Sequence, residues 1–164
     1  MSKKPVVFLD VDGVLHPFHG HIAESQITTF HRTCMHELQR LVEETEAEIV
    51  LSTSWRNFAS TRNRLSANLA EYGMSFSRWI EPDTAASNGP VSAGKLNKIL
   101  AFVQTHAPTD WVVLDDEDLI RLSGTDSESL MVQLFDSRFV RTDARTGLVA
   151  RDTAKAIAIL KNAD

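Results

Sequence analysis

The chain holds a single cysteine, Cys34, so no internal disulfide can form, and its thiol content fits a reducing compartment. No apolar run approaches the length of a membrane span. After Met-Ser-Lys-Lys the first hydrophobic stretch is cut short by Asp10 and Asp12, which excludes the apolar centre of a secretory signal. Basic residues are not in surplus: Lys and Arg number 17 against 22 Asp and Glu, a formal charge of -5. That balance argues against general nucleic-acid binding, although a local basic groove is compatible with it. Internal repeats, linkers and low-complexity segments are also missing. The expectation is a cytoplasmic protein with no membrane partner, residues 1–164 forming one domain. Hydrophobic residues make up 43% of the chain, enough for a substantial core in which Cys34 is expected to sit.

What stands out is an apolar run that ends on two aspartates and a glycine: Val6-Val7-Phe8-Leu9-Asp10-Val11-Asp12-Gly13-Val14. It reads as a buried strand that delivers paired carboxylates to a tight turn. Side chains at i and i+2 of an extended strand share a face, so Asp10 and Asp12 are expected side by side. Neighbouring anions repel, and a divalent cation or a retained proton relieves the repulsion. Gly13 supplies the backbone freedom of the turn.

Strand and helix patterns alternate along the rest of the chain. Met35, Leu38, Leu41 and Val42 mark one helix, and Ala47 to Ser52 a second strand closing on Ser52-Thr53-Ser54. Phe58, Leu65, Leu69 and Tyr72 predict a helix closed by Gly73, and Arg78 to Glu81 a short strand. Pro82 to Gly94 reads as the main loop, and Leu96, Ile99, Leu100 and Val103 as a helix beginning at Lys95. Trp111-Val112-Val113-Leu114 is a strand that ends at Asp115-Asp116. Leu130 to Phe135 and Arg138 to Arg141 read as further strands, Asp143 to Gly147 as a turn, and Asp152 or Thr153 as the cap of a last helix. This alternation predicts an α/β fold with a mostly parallel central sheet, ligands binding beyond the carboxyl ends of its strands.

Three strand ends therefore carry reactive groups, and a helix start adds Lys95. The ordered set resembles the haloacid dehalogenase (HAD) superfamily of aspartate-nucleophile phosphohydrolases. The likeness runs from Val6 to about Leu122: the DxDGV opening, Ile49-Val50-Leu51-Ser52 as the second motif, Lys95 as the third, and Val113-Leu114-Asp115-Asp116 as the fourth. Phe139 to Val149 further resembles the close of small members related to RNA-repair enzymes. The resemblance implies a three-layer Rossmann-like fold. The segments between motifs have no room for a large cap domain.

On that resemblance Asp10 is the nucleophile that forms an aspartyl-phosphate, and Asp12 the acid and later base. Mg²⁺ would be held by Asp10, the backbone carbonyl of Asp12, and one or both of Asp115 and Asp116. Ser52, the amides near Thr53, and Lys95 would hold the phosphoryl oxygens. The implied activity is an Mg²⁺-dependent phosphatase whose capless site suits a sizeable phosphorylated partner. A small metabolite, a nucleic-acid end and a phosphoprotein all remain open. A phosphotransferase or mutase on the same scaffold, and a non-catalytic module holding phosphorylated ends in nucleic-acid repair, are the alternatives.

Several residues have plainer readings. Ser52 and Thr53 compete for the phosphate-binding hydroxyl, with Ser54 as a helix cap, and Lys95 competes with Lys98 one turn on. Asp118 reads as the cap of the segment at Leu119. His16, His19 and His21 fit no zinc spacing, and read as surface residues or phosphate contacts on a flap. Trp55 and Arg56 read as a substrate contact or as a packed aromatic beside a solvated arginine; Arg62, Arg64 and Arg78 as an exposed basic face.

Overall fold

In the computed structural model residues 3–17, 27, 29–82 and 94–161 are described. Five strands, β1 (Val6–Leu9), β2 (Glu48–Leu51), β3 (Phe76–Trp79), β4 (Trp111–Asp115) and β5 (Phe139–Arg141), form one sheet in the order β3-β2-β1-β4-β5. Every pairing is parallel. The helices are α1 (Arg32–Thr45), α2 (Ala59–Ala70), α3 (Lys95–His106), α4 (Leu119–Ser123), α5 (Leu130–Ser137) and α6 (Ala150–Lys161), with a 3-10 turn at Ser54–Asn57. This is the three-layer Rossmann-like arrangement that the sequence predicts. Among the described residues no cap covers the carboxyl edge of the sheet.

The alternation of β1 explains the layers. Val7 and Leu9 face one core with Cys34, Met35, Leu38 and Leu41 of α1 and Ala156 and Leu160 of α6. Val6 and Phe8 face the other, with Leu96, Ile99 and Phe102 of α3 and Phe135 of α5. Each large apolar side chain so removed from water contributes about 1.5–3 kcal/mol, so a one-residue slip of β1 would forfeit both cores. The chain builds outward from β1 to β2 and β3, then crosses back to β4 and β5. Strand order thus reverses between β1 and β4, where an open α/β sheet leaves a crevice.

Four local expectations need correction. Leu130 to Phe135 is helical, not extended: the Ser129 hydroxyl accepts from the Val132 amide, and Val132 and Phe135 bury one helical face while Leu130, Met131 and Leu134 stay exposed. A short unbroken apolar run carries no period by which helix and strand could be told apart. The third strand lies earlier than expected, because its pairing to β2 starts at Phe76 against Ile49. Phe58 is 66% exposed and precedes α2 rather than joining its buried face. The last helix starts at Ala150, and Asp152 caps it from inside, its carboxylate accepting from the Val149 amide at 3.1 Å.

Candidate active site

β1 stops at Leu9, and the chain then turns tightly. The Val14 and Leu15 amides donate back to the Val11 carbonyl, and the Gly13 amide to the His16 carbonyl. Gly13 has φ +75, the freedom the sequence reading asks of it. A second reason appears only in three dimensions. A Cβ on Gly13 would lie 2.6 Å from the Asp116 carboxyl carbon, so glycine lets that carboxylate close onto the turn.

The fold draws Asp10, Asp115 and Asp116 together: one carboxylate oxygen from each lies within 4.8 Å of the others. Asp10 and Asp115 are buried, and Asp116 is half-buried. Lys95, at the first residue of α3 and 7% exposed, donates to Asp115 Oδ2 at 2.8 Å and lies 3.6 Å from Asp10 Oδ1. Lys98 instead reaches the Pro82 carbonyl at the surface, so Lys95 is the lysine in the cluster. The other oxygen of Asp115 accepts from the Glu117 amide at 3.0 Å.

These charges strain one another. Burial, reinforced by Asp115, raises the Asp10 carboxyl well above the usual carboxylate range, although Lys95 pulls the other way. Burial and Asp115 also lift Asp116 to about 6. For Lys95, burial opposes the charge, but Asp10 and Asp115 more than reverse it and hold the ammonium above its ordinary value. One ammonium does not balance three carboxylates. Hard oxygen donors converging from two strand ends fit a divalent cation, which would relieve that repulsion.

Asp12 is not part of this cluster. Its carboxylate Oδ1 lies 2.7 Å from His16 Nε2, and its charge still helps to raise the Asp10 carboxyl. His16 is only 8% exposed and belongs to the site rather than to the surface. His19 and His21 lie outside the described residues, as does most of the 82–94 loop.

On the opposite flank, Ser52 and Thr53 follow β2, and both are buried. The Thr53 hydroxyl caps the 3-10 turn by accepting from the Trp55 amide at 3.2 Å, the role expected of Ser54. Ser52 Oγ is buried with no hydrogen-bond partner, as is the Trp55 indole nitrogen. Such groups are costly unless something satisfies them. Arg56, expected in solvent, is 1% exposed, and its guanidinium donates to the Ser52, Thr53 and Glu81 carbonyls. It ties the loop after β2 to the chain leaving β3. Arg62 stacks over Trp79, Arg78 over Phe102, and Arg64 donates to the Ile27 carbonyl, so the expected basic face is a set of partnered, half-buried side chains.

Two supports went unseen in the sequence. The Thr142 hydroxyl donates to the Gly13 carbonyl at 2.8 Å, and the Leu148 amide to the Val14 carbonyl at 2.7 Å. Gly147, φ +68, presses against Cys34 and Val14 where a Cβ would be 2.7 Å from the sulfur. The turn at 143–147 therefore buttresses the turn at Gly13 from behind. Its sequence signals a turn, but nothing local says what it touches.

The sheet thus reverses its strand order at a crevice that carries buried acids and a lysine. The family model described as the HAD domain in Swiss Army Knife RNA repair proteins matches residues 6–153, and the chain belongs to that family. Membership implies phosphoesterase-type chemistry with a divalent metal. No curated protein matches the chain. No described helix is long and apolar enough to cross a membrane.

Proposed function

We propose that the chain is an Mg²⁺-dependent phosphatase that hydrolyses a phosphomonoester through an aspartyl-phosphate on Asp10. The convergence of Asp10, Asp115 and Asp116 within 4.8 Å beside Lys95 carries this reading. Asp10, Asp115 and Asp116 would hold the ion with the Asp12 carbonyl; bound Mg²⁺ would offset phosphate charge and keep Asp10 ionised. Asp10 attacks phosphorus as the bond to the leaving oxygen breaks, and Asp12 gives that oxygen a proton. Water then attacks the aspartyl-phosphate, its proton passing to Asp12 as Asp10 is released. Ser52, whose hydroxyl lacks a partner, is favoured over Thr53 as the phosphate-binding hydroxyl. Lys95 and the amides near Thr53 complete the anion site.

The carboxyl edge, uncapped among the described residues, suits a substrate larger than a metabolite, and the family description favours the phosphorylated end of an RNA strand. A phosphoprotein or small molecule is the competing substrate. We read residues 1–164 as one domain, with a cytoplasmic setting supported by the single buried thiol. The test is phosphate release from 5′- and 3′-phosphorylated oligoribonucleotides, phosphopeptides and aryl phosphates with and without Mg²⁺. Metal-dependent release lost by about a thousandfold or more in Asp10→Asn is expected. Turnover that persists without divalent metal, or in Asp10→Asn, would overturn it.

A further inference from the structure

The proposed chemistry leaves His16 without a role, yet its ring is fixed from three directions. Its Nδ1 lies 3.1 Å from the Pro17 carbonyl, which can only accept, so Nδ1 carries a hydrogen. Its Nε2 therefore faces Asp12 Oδ1 at 2.7 Å. The ring stacks on Phe30, centroids 6.1 Å apart and planes 17° off parallel, and Phe30 packs edge-on against buried Trp55 at 5.5 Å. The His16 backbone also closes the turn, its carbonyl accepting from the Gly13 amide and its residue bridging to Asp12.

We propose that His16 is the positioning residue for Asp12 in proton transfer to the leaving group, an inference that rests on the phosphatase reading above. One carboxyl oxygen of Asp12 is committed to His16, and proton exchange with the substrate falls to the other, Oδ2. The hydrogen bond serves both states of the acid. The proton shared between Nε2 and Oδ1 stays in that hydrogen bond, while Oδ2 carries the proton given to the leaving oxygen and regained from water. Asp12 is thereby kept at one rotamer through both halves of the reaction. In the first, the Asp10–phosphorus bond forms, the ester bond breaks and the leaving oxygen takes the Asp12 proton. In the second, water bonds phosphorus, the Asp10–phosphorus bond breaks, and the proton of water returns to Asp12. The net change is ester plus water to alcohol plus phosphate.

A histidine that only fills space and one that aims an acid differ in a measurable way. Protonation matters little when the departing oxygen is a stable anion and much when it is basic. Values of kcat/KM, which report the step that breaks the ester bond, are therefore compared across 4-nitrophenyl, 4-chlorophenyl, phenyl and benzyl phosphates with Mg²⁺ present. For His16→Ala the expected loss is about tenfold on the nitrophenyl ester, growing to about a hundredfold or more on the phenyl and benzyl esters. His16→Gln, whose amide can still reach Asp12, is expected to restore much of the steep end. In an Asp12→Asn background the His16 substitution should add little, because it acts through that carboxyl.

A uniform loss across the series, or a full extra loss in the Asp12→Asn background, would show that His16 merely supports the fold and would overturn the proposal. If His16→Ala does not fold, the His16→Gln and Asp12→Asn comparison carries the test by the same criteria. Wild-type protein inert toward every ester strikes the phosphatase reading itself, and the inference falls with it. Active wild type with an unchanged leaving-group slope strikes the inference alone.

Discussion

The two flanks of β1 are built on opposite principles. Toward β4, Asp10, Asp115 and Asp116 crowd together with the Lys95 ammonium against the first two, and burial makes their charge costly. Toward β2, no acid joins the strand end among the described residues; a neutral hydroxyl and an indole N–H lie buried without partners, and the Arg56 guanidinium spends its donors on backbone carbonyls. One flank lacks a cation and the other lacks an acceptor. On the proposed reading a bound cation would answer the first need and a phosphate oxygen the Ser52 hydroxyl, which makes the two flanks complementary halves of one site.

That contrast can be attacked from either side. The largest effect on metal binding is expected at Gly13: in Gly13→Ala the new methyl group displaces the Asp116 carboxylate, and Mg²⁺ affinity read by isothermal titration should fall by about a hundredfold. Unchanged affinity would remove Asp116 from the ion's coordination. On the β2 flank, Ser52→Ala should cut metal-dependent turnover by about ten- to a hundredfold and weaken inhibition by inorganic phosphate, with Mg²⁺ affinity preserved. Thr53→Val should instead lower the melting temperature more than it affects phosphate inhibition, because that hydroxyl caps the 3-10 turn. Equal effects of the two on phosphate inhibition would erase the distinction drawn between them.

The smallest effect is a pH dependence. Asp116 is raised from 3.8 to about 6 in the folded chain, so between those values the folded state binds more protons than the unfolded one. Stability of chelator-treated protein should therefore fall as pH rises through that window. Added Mg²⁺ favours the ionised carboxylates, so its stabilisation should grow over the same range. Thermal melts of wild type and Asp116→Asn at about pH 4 and about pH 6.5 measure this. The expected difference is a few degrees, and a slope identical in both proteins would assign the pH response elsewhere.

Much of the site was legible because its chemistry is written where strands end. Asp10, Ser52, Lys95 and Asp115 each follow, open or close a regular element, and periodicity locates such boundaries to within about a residue or two. What periodicity could not resolve was α5, whose apolar run lacks a readable repeat, and the partner of Asp12, which depends on a turn rather than on strand alternation. Arg56 was misplaced for a related reason: an arginine is solvated by default, and only the carbonyls left by two neighbouring loops explain its burial.

Composition and pattern by themselves determined an α/β chain with a parallel sheet and acids delivered to its carboxyl edge, since apolar runs, helical stripes and strand-end polar residues are local properties. Only the tertiary structure decided which acids meet, that Ser52 rather than Thr53 keeps an unpartnered hydroxyl, that Asp12 meets His16, and that a turn beyond residue 142 braces the turn at Gly13. Those outcomes depend on strand order and on atoms more than a hundred residues apart in the chain coming within hydrogen-bond reach, as Thr142 and Gly13 do. Short-range pattern carries no information about either.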